Sequence, residues 1–265
     1  MLRPRIIPCL LLRDGGLVKT KQFADAKYVG DPLNAIKIFN EKEADEVIVL
    51  DMDATTNGHE PNYDLIANLA AECRMPLCYG GGVKRLDQIE KIIGLGVEKV
   101  AVSSIAISNP SLIAEASLRF GRQSIIVVID VKKVGLFKSY EVFTANGRNA
   151  TGLDPVDFVR QLASLGVGEI VVNSIDHDGM MKGYDLKLAK CIRQATETPM
   201  SMIGGAGNYT DLKALFRTCG RVGAVAGSLF VFRGKYRAVL IHYPTFQERE
   251  LLVSEHENFK VMSDE

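Results

Sequence analysis

Eight short apolar runs, rich in β-branched residues, recur along this chain: 6–12, 47–52, 76–79, 99–103, 124–131, 169–173, 200–203 and 224–226. Several are apolar at nearly every position, as expected of a parallel strand covered on both faces. Between them lie segments of helical periodicity at 32–42, 86–95, 111–120, 155–165, 186–194 and 211–218. Asn109 followed by Pro110, and Asp154 followed by Pro155, read as an N-cap with proline in the first turn. Eight strands alternating with helices imply a parallel sheet, and eight is the number that closes one. The expected fold class is therefore α/β, a (β/α)8 TIM barrel.

An internal repeat supports closure. DEVIVLDMDA from Asp45 resembles GEIVVNSIDHDG from Gly168, GGGV at 80–83 resembles GGAG at 204–207, and VEKVAVSS resembles VGAVAGS. Glu46 and Glu169 are 123 residues apart, and so are Gly81 and Gly204. Two half-barrel repeats of four strands each account for the shared spacing. The 265 residues fit one barrel domain, with 245–265 a charged, weakly patterned surface helix or loose tail.

Composition narrows the function classes. Thirty-two basic residues balance thirty-two acidic ones, so no net field points to nucleic acid or an anionic membrane. No run approaches a membrane span, and the N-terminal apolar stretch, interrupted by Pro8, fits a buried strand better than a signal segment. Cys9, Cys73, Cys78, Cys191 and Cys219 contain no C-x-x-C pair, which fits buried thiols in a reducing cytoplasm. No ligand cluster for a metal is evident, and no cofactor is implied.

In such a barrel the working residues sit at the C-terminal strand ends. The turns at Gly81-Gly82 and Gly204-Gly205, with Gly207 close behind, let an anion approach backbone N–H groups. Ser103, Ser104 and Ser228 after strands four and eight add hydroxyls. Two such places related by the repeat suit a small molecule with a phosphate at each end. Asp130 closes the run IIVVID, where an unengaged carboxylate is costly, so general acid/base chemistry is its sharp reading and pairing with a neighbouring lysine its bland one. Asp51, Asp53, Asp176 and Asp178 hold equivalent strand ends, although Asp178-Gly179 also reads as an ordinary turn. His177 reads as a solvated or capping histidine rather than a metal ligand. Aligning Ile6-Ile7 with Ile125-Ile126 sets Leu11 opposite Asp130. Leucine exchanges no proton, so a symmetric two-aspartate mechanism is excluded.

The segments RIIPCLL-x-RDGG-x-VK, VIVLDMDAT, YGGGV, VVIDVKK, TGLDPVDF, GEIVVNSIDHDG and GGAGN resemble the cyclase subunit of imidazole glycerol phosphate synthase, over roughly Arg3 to Phe232. The resemblance implies a half-barrel-duplicated (β/α)8 protein that docks a glutaminase on the N-terminal barrel face. Ammonia then crosses the interior to a bisphosphate substrate. It places the family's charged ammonia gate on Arg5, Glu46, Lys99 and Glu169, its retained acid/base aspartate on Asp130, its sixth-strand aspartate on Asp178, and its flexible-loop lysine on Lys19, which makes Asp130 and Asp178 the candidate catalytic residues. The departures cluster at the other end: Leu11 stands where the pattern has aspartate, Ile203 where it has serine, Ser103 and Ser104 where it has asparagine and threonine, and Met180-Met181 where it has threonine and lysine. IPCLLL-x-DGG-x-VKT and AGSLFVF-x-G-x-x-x-AVLI-x-YP resemble a divergent branch found beside sugar-modifying genes. In that branch such a barrel resembles an ammonia supply for a separate ATP-dependent amidotransferase acting on a nucleotide-linked surface sugar. Within the true cyclase alternative, Asp14 or Asp178 would replace the missing carboxylate. A third alternative is a non-catalytic scaffold that activates its glutaminase.

Overall fold

The computed structural model describes residues 3–261. Eight parallel strands form the sheet: β1 Arg5–Arg13, β2 Val47–Asp51, β3 Leu77–Gly80, β4 Lys99–Val102, β5 Ile125–Val134, β6 Glu169–Ser174, β7 Met200–Ile203 and β8 Gly223–Ala226. Each pairs with its neighbour in chain order, β1 pairs with β8, and β5 with β6, so the sheet closes. All eight coincide with expected runs to within a few residues. The (β/α)8 barrel is the fold.

Among the described residues, eight main helices cover the sheet: α1 Pro32–Glu41, α2 Tyr63–Glu72, α3 Leu86–Gly94, α4 Pro110–Phe120, α5 Pro155–Ser164, α6 Leu186–Ala195, α7 Tyr209–Cys219 and α8 Phe246–Val261. Helix α2 was not anticipated, because few of its residues, Ile66 and Leu69 among them, are fully buried and its periodic signal is short. The candidate surface helix or tail is a helix as far as Val261, with Leu252 and Val253 buried, and 262–265 lie outside the described residues. Asp154 caps α5 as read from sequence, accepting from the N–H groups of Val156 and Asp157. Asn109 makes no such cap bond; its Oδ1 accepts from Ser111 Oγ instead.

Two hairpins rise from the C-terminal rim. One, Gly16–Lys21 with Ala24–Gly30, follows β1. The other extends β5, whose last residues pair with Ser139–Thr144. Neither was among the expected strands; ADAKYVG is exposed at its first five positions and so carries no apolar run.

Alternation along the strands sorts their side chains. Outward residues such as Ile6, Val47, Val100 and Ile170 pack under the helices. Inward residues Ile7, Ile48, Cys78, Ile126, Val171 and Val225, with Cys9, Ala101, Val128 and Ile203 above them, fill the lumen. Below this apolar column, at the N-terminal strand ends, stand Arg5, Glu46, Lys99 and Glu169. Above it the lumen opens into a cavity. Among the described residues no helix is long and apolar enough to cross a membrane.

Candidate functional site

At the N-terminal end, the four charges expected of the gate come together as a closed ring. Arg5 reaches Glu46 at 2.5 Å and Glu169 at 2.7 Å, while Lys99 reaches the same carboxylates at 2.7 and 3.3 Å. Both glutamates are buried. Burial raises the Glu46 pKa above its ordinary value against the pull of Lys99 and Arg5. Glu169 also suffers burial, but Arg5, Lys99 and the hydroxyl of Ser201 outweigh it and hold its pKa below the ordinary value. The two carboxylates share the same cations and differ in Ser201, which donates to Glu169 Oε1 alone. Ser201, fully buried on β7, was missed by sequence reasoning, because a serine inside MSMI carries no signal of its own. Gly223 on β8 makes room for it: a Cβ there would overlap Ser201 Oγ.

At the C-terminal end a cavity of about 250 Å³ is lined by Lys19, Gly81, Gly82, Ser103, Ser104, Asp130, Asp178, Gly204, Gly205 and Ser228. The structure thus gathers residues expected from seven separate stretches of sequence. Gly207 is not among the lining residues; its N–H donates to Asp211 Oδ2 in the cap of α7. Asp14 is exposed in the turn after β1 and does not line the cavity, so it is in no position to replace the missing carboxylate. Leu11 does line it, as does Asp130, from the positions the half-barrel repeat equates.

Asp130 sits in a largely shielded niche. Burial pushes its pKa up to about 7, opposed by a 3.0 Å hydrogen bond from Asn173 Nδ2 and assisted by the charge of Asp178. Asn173 stands directly beside it in the β5–β6 register. Asn173 was not singled out from the sequence, where it is one polar residue closing the run EIVVN.

Asp178 is differently engaged. Its Oδ2 accepts from Thr20 Oγ1 at 2.6 Å and from the Phe23 N–H at 3.2 Å, and its carbonyl accepts from the Gln22 N–H. These donors all belong to the first hairpin, which lies over the cavity mouth. Burial raises the Asp178 pKa against these bonds and the charge of Lys19. Lys19, expected on a flexible loop, is here a buried strand residue whose Nζ donates to the Cys9 carbonyl. Burial lowers its pKa. Asp51 caps the short helix Met52–Thr56, and Asp53 pairs with Arg13 at 3.3 Å. Asp176 accepts from the Lys133 N–H, and His177 Nδ1 bonds Ser174 Oγ, so these side chains tie the rim loops together. The five cysteines are unbridged.

The chain can therefore hold a small polar molecule above an apolar lumen sealed below by paired charges, with one carboxyl poised near neutrality. The model of the family described as histidine biosynthesis protein matches residues 5–237. A Vibrio vulnificus protein provisionally named imidazole glycerol phosphate synthase subunit hisF3 is 54% identical over 250 residues, covering 94% of this chain and 96% of its own. A Leptospira interrogans protein provisionally named as a subunit of the same synthase is 53% identical, covering 95% and 99%. A Pseudomonas aeruginosa protein provisionally named subunit hisF2 is 53% identical, covering 92% and 97%. The chain belongs to the histidine-biosynthesis protein family, in the line of its imidazole glycerol phosphate synthase cyclase subunits.

Proposed function

We propose that the chain is the cyclase-like subunit of a cytoplasmic glutamine amidotransferase complex. It takes ammonia from a glutaminase docked at the N-terminal barrel face and passes it through the lumen to the cavity. The destination is amidation of a nucleotide-linked surface sugar by a separate ATP-dependent amidotransferase, with the cavity holding a phosphorylated small molecule at its glycine turns. The observation that carries this reading is the complete ring of Arg5, Glu46, Lys99 and Glu169 beneath a cavity where Leu11 replaces a carboxylate. Supply of ammonia needs the ring and lumen, whereas cyclisation needs a pair of proton-transfer groups. The purified chain with its glutaminase is expected to release ammonia from glutamine and to leave the cyclase substrate unchanged. Measurable cyclase turnover would overturn it.

A true cyclase in histidine biosynthesis is the second reading, favoured by Asp130 near neutrality and by the relatives' names. Restoration of growth in a histidine auxotroph lacking the subunit would establish it. A scaffold that only activates its glutaminase would tolerate a blocked lumen, so Ala101→Phe would leave product formation untouched.

A further inference from the structure

The lumen admits only certain cargo and ends at particular atoms. Its wall from Ile7, Ile48 and Cys78 up to Val128, Val171 and Ile203 is apolar throughout, so an ion pays heavily to cross while neutral ammonia does not. One inward step higher, where the lumen meets the cavity, β1 presents Leu11, β2 Leu50 and β3 Gly80, with Ala101 and Ile203 at the top of the wall also lining the cavity. Among the described residues, Asp130 on β5 and its register neighbour Asn173 on β6 bring adjacent polar side chains to that level, with Asp51 and Ser103 elsewhere on the cavity wall.

Asn173 is 7% exposed and its Oδ1 has no hydrogen-bond partner. Its orientation follows from its neighbour, because Nδ2 donates to Asp130 Oδ1 and the amide oxygen must then face the other way, beside Gly204. A buried carbonyl without a partner is costly and calls for a donor. The Asp130 carboxylate spends one oxygen on Asn173 and keeps the other. Two acceptors side by side, with leucine where a second carboxylate would stand, form a seat for a small N–H donor. The charged groups nearby are committed elsewhere: Lys19 to the Cys9 carbonyl and Asp178 to Thr20 and Phe23.

We propose that Asn173 Oδ1 and the Asp130 carboxylate form a binding site for ammonia or ammonium at the cavity end of the lumen. Asn173 acts there as the orienting residue. N–H groups are held by the two oxygens. For neutral ammonia this leaves the lone pair turned toward the cavity, so that delivery ends in an oriented nucleophile rather than a diffusing one. The proposal deepens the ammonia-supply reading and rests on it for its biological use, but its test does not.

The probe is ammonium chloride, titrated into the isolated chain while the side-chain amide signals of Asn173 and the carboxyl carbon of Asp130 are followed by NMR. Saturable shifts of both are expected, absent with sodium chloride or tetramethylammonium chloride at equal ionic strength. Asn173→Leu is expected to weaken binding about tenfold or more, the usual loss when a hydrogen-bond partner is removed from a shielded site. Asn173→Asp keeps an acceptor oxygen and is expected to retain binding. Shifts that do not saturate, that appear equally with sodium or potassium, or that survive in Asn173→Leu would overturn the site. Should Asn173→Leu not fold, Asp130→Asn takes its place, with the same loss expected and retained binding decisive against the proposal. Ammonium binding without transfer of glutaminase-derived ammonia would sink the functional reading alone; transfer without binding would sink this one alone.

Discussion

Thr20 Oγ1 donates to Asp178 Oδ2 at 2.6 Å, joining the tip of the first hairpin to the loop after the sixth strand. The Phe23 N–H shares the same oxygen, and the Gln22 side chain donates to the Asp176 carbonyl at 3.0 Å. The Asp178 carboxylate, which lines the cavity, thus also fastens the hairpin over its mouth. Thr20→Val removes a bond to a charged group, worth about 1.5–3 kcal/mol. Faster amide hydrogen exchange is expected across 16–30, with the barrel strands unchanged. Equal exchange in both proteins would show that the clasp contributes nothing.

The ring at the other end is a test of pairing in a buried site. Lys99→Met leaves Arg5 to serve both Glu46 and Glu169, so the ring carries one excess buried negative charge beneath the lumen, a loss of pairing that typically costs about 3–5 kcal/mol. Chemical denaturation is expected to show this loss, with little relief from added salt because the pair is shielded.

Gly223 and Ser201 are expected to be coupled. Gly223→Ala drives a methyl into Ser201 Oγ and should destabilise the barrel. Ser201→Ala should recover part of that loss in the double variant, though alone it frees Glu169 Oε1 of a donor. Strictly additive denaturation midpoints would contradict the packing.

Asp130 sets a pH dependence of unusual sign. Its pKa rises from 3.8 to about 7 on folding, so between those values the native state binds more protons than the unfolded chain. Stability is therefore lost as pH rises from about 4 to 7, by up to roughly 4 kcal/mol, and stays low above. Asp130→Asn is expected to flatten this stretch of the stability curve and to be the more stable protein at pH 8. Denaturation series for both proteins across pH 4–8 would decide it.

Leu11→Asp restores the second carboxylate facing Asp130. Like charge in a shielded cavity should push the Asp130 midpoint higher still. If loss of that group is what disables cyclisation, turnover of the cyclase substrate with saturating ammonia should rise from its floor, the deficit being about 10²–10⁴. An unchanged midpoint would mean the two side chains do not sense each other.

The barrel was legible in the chain because burial on both faces leaves a strand little choice but Val, Ile and Leu. The 123-residue spacing between Glu46 and Glu169 then set the order of the halves. Half-barrel pairing also exposed Leu11 against Asp130, which both line the cavity. The resemblance brought in Arg5 and Lys99, whose charges are plain in sequence though their ring is not. Gly207 was chosen on the same grounds as Gly204 and Gly205, but its N–H serves a helix cap.

Sequence by itself thus determined how many strands close the sheet and where their C-terminal ends lie, since both follow from the local apolar runs. Only the tertiary structure decided what each polar group does. Whether Asp178 moves a proton or holds a hairpin depends on Thr20, 158 residues away in the chain. Whether Asn173 is a plain strand end or an acceptor with no partner depends on Asp130, reached across the sheet. Hydrogen bonds and shielding act over a few ångströms of space, and nothing in the order of residues records that distance.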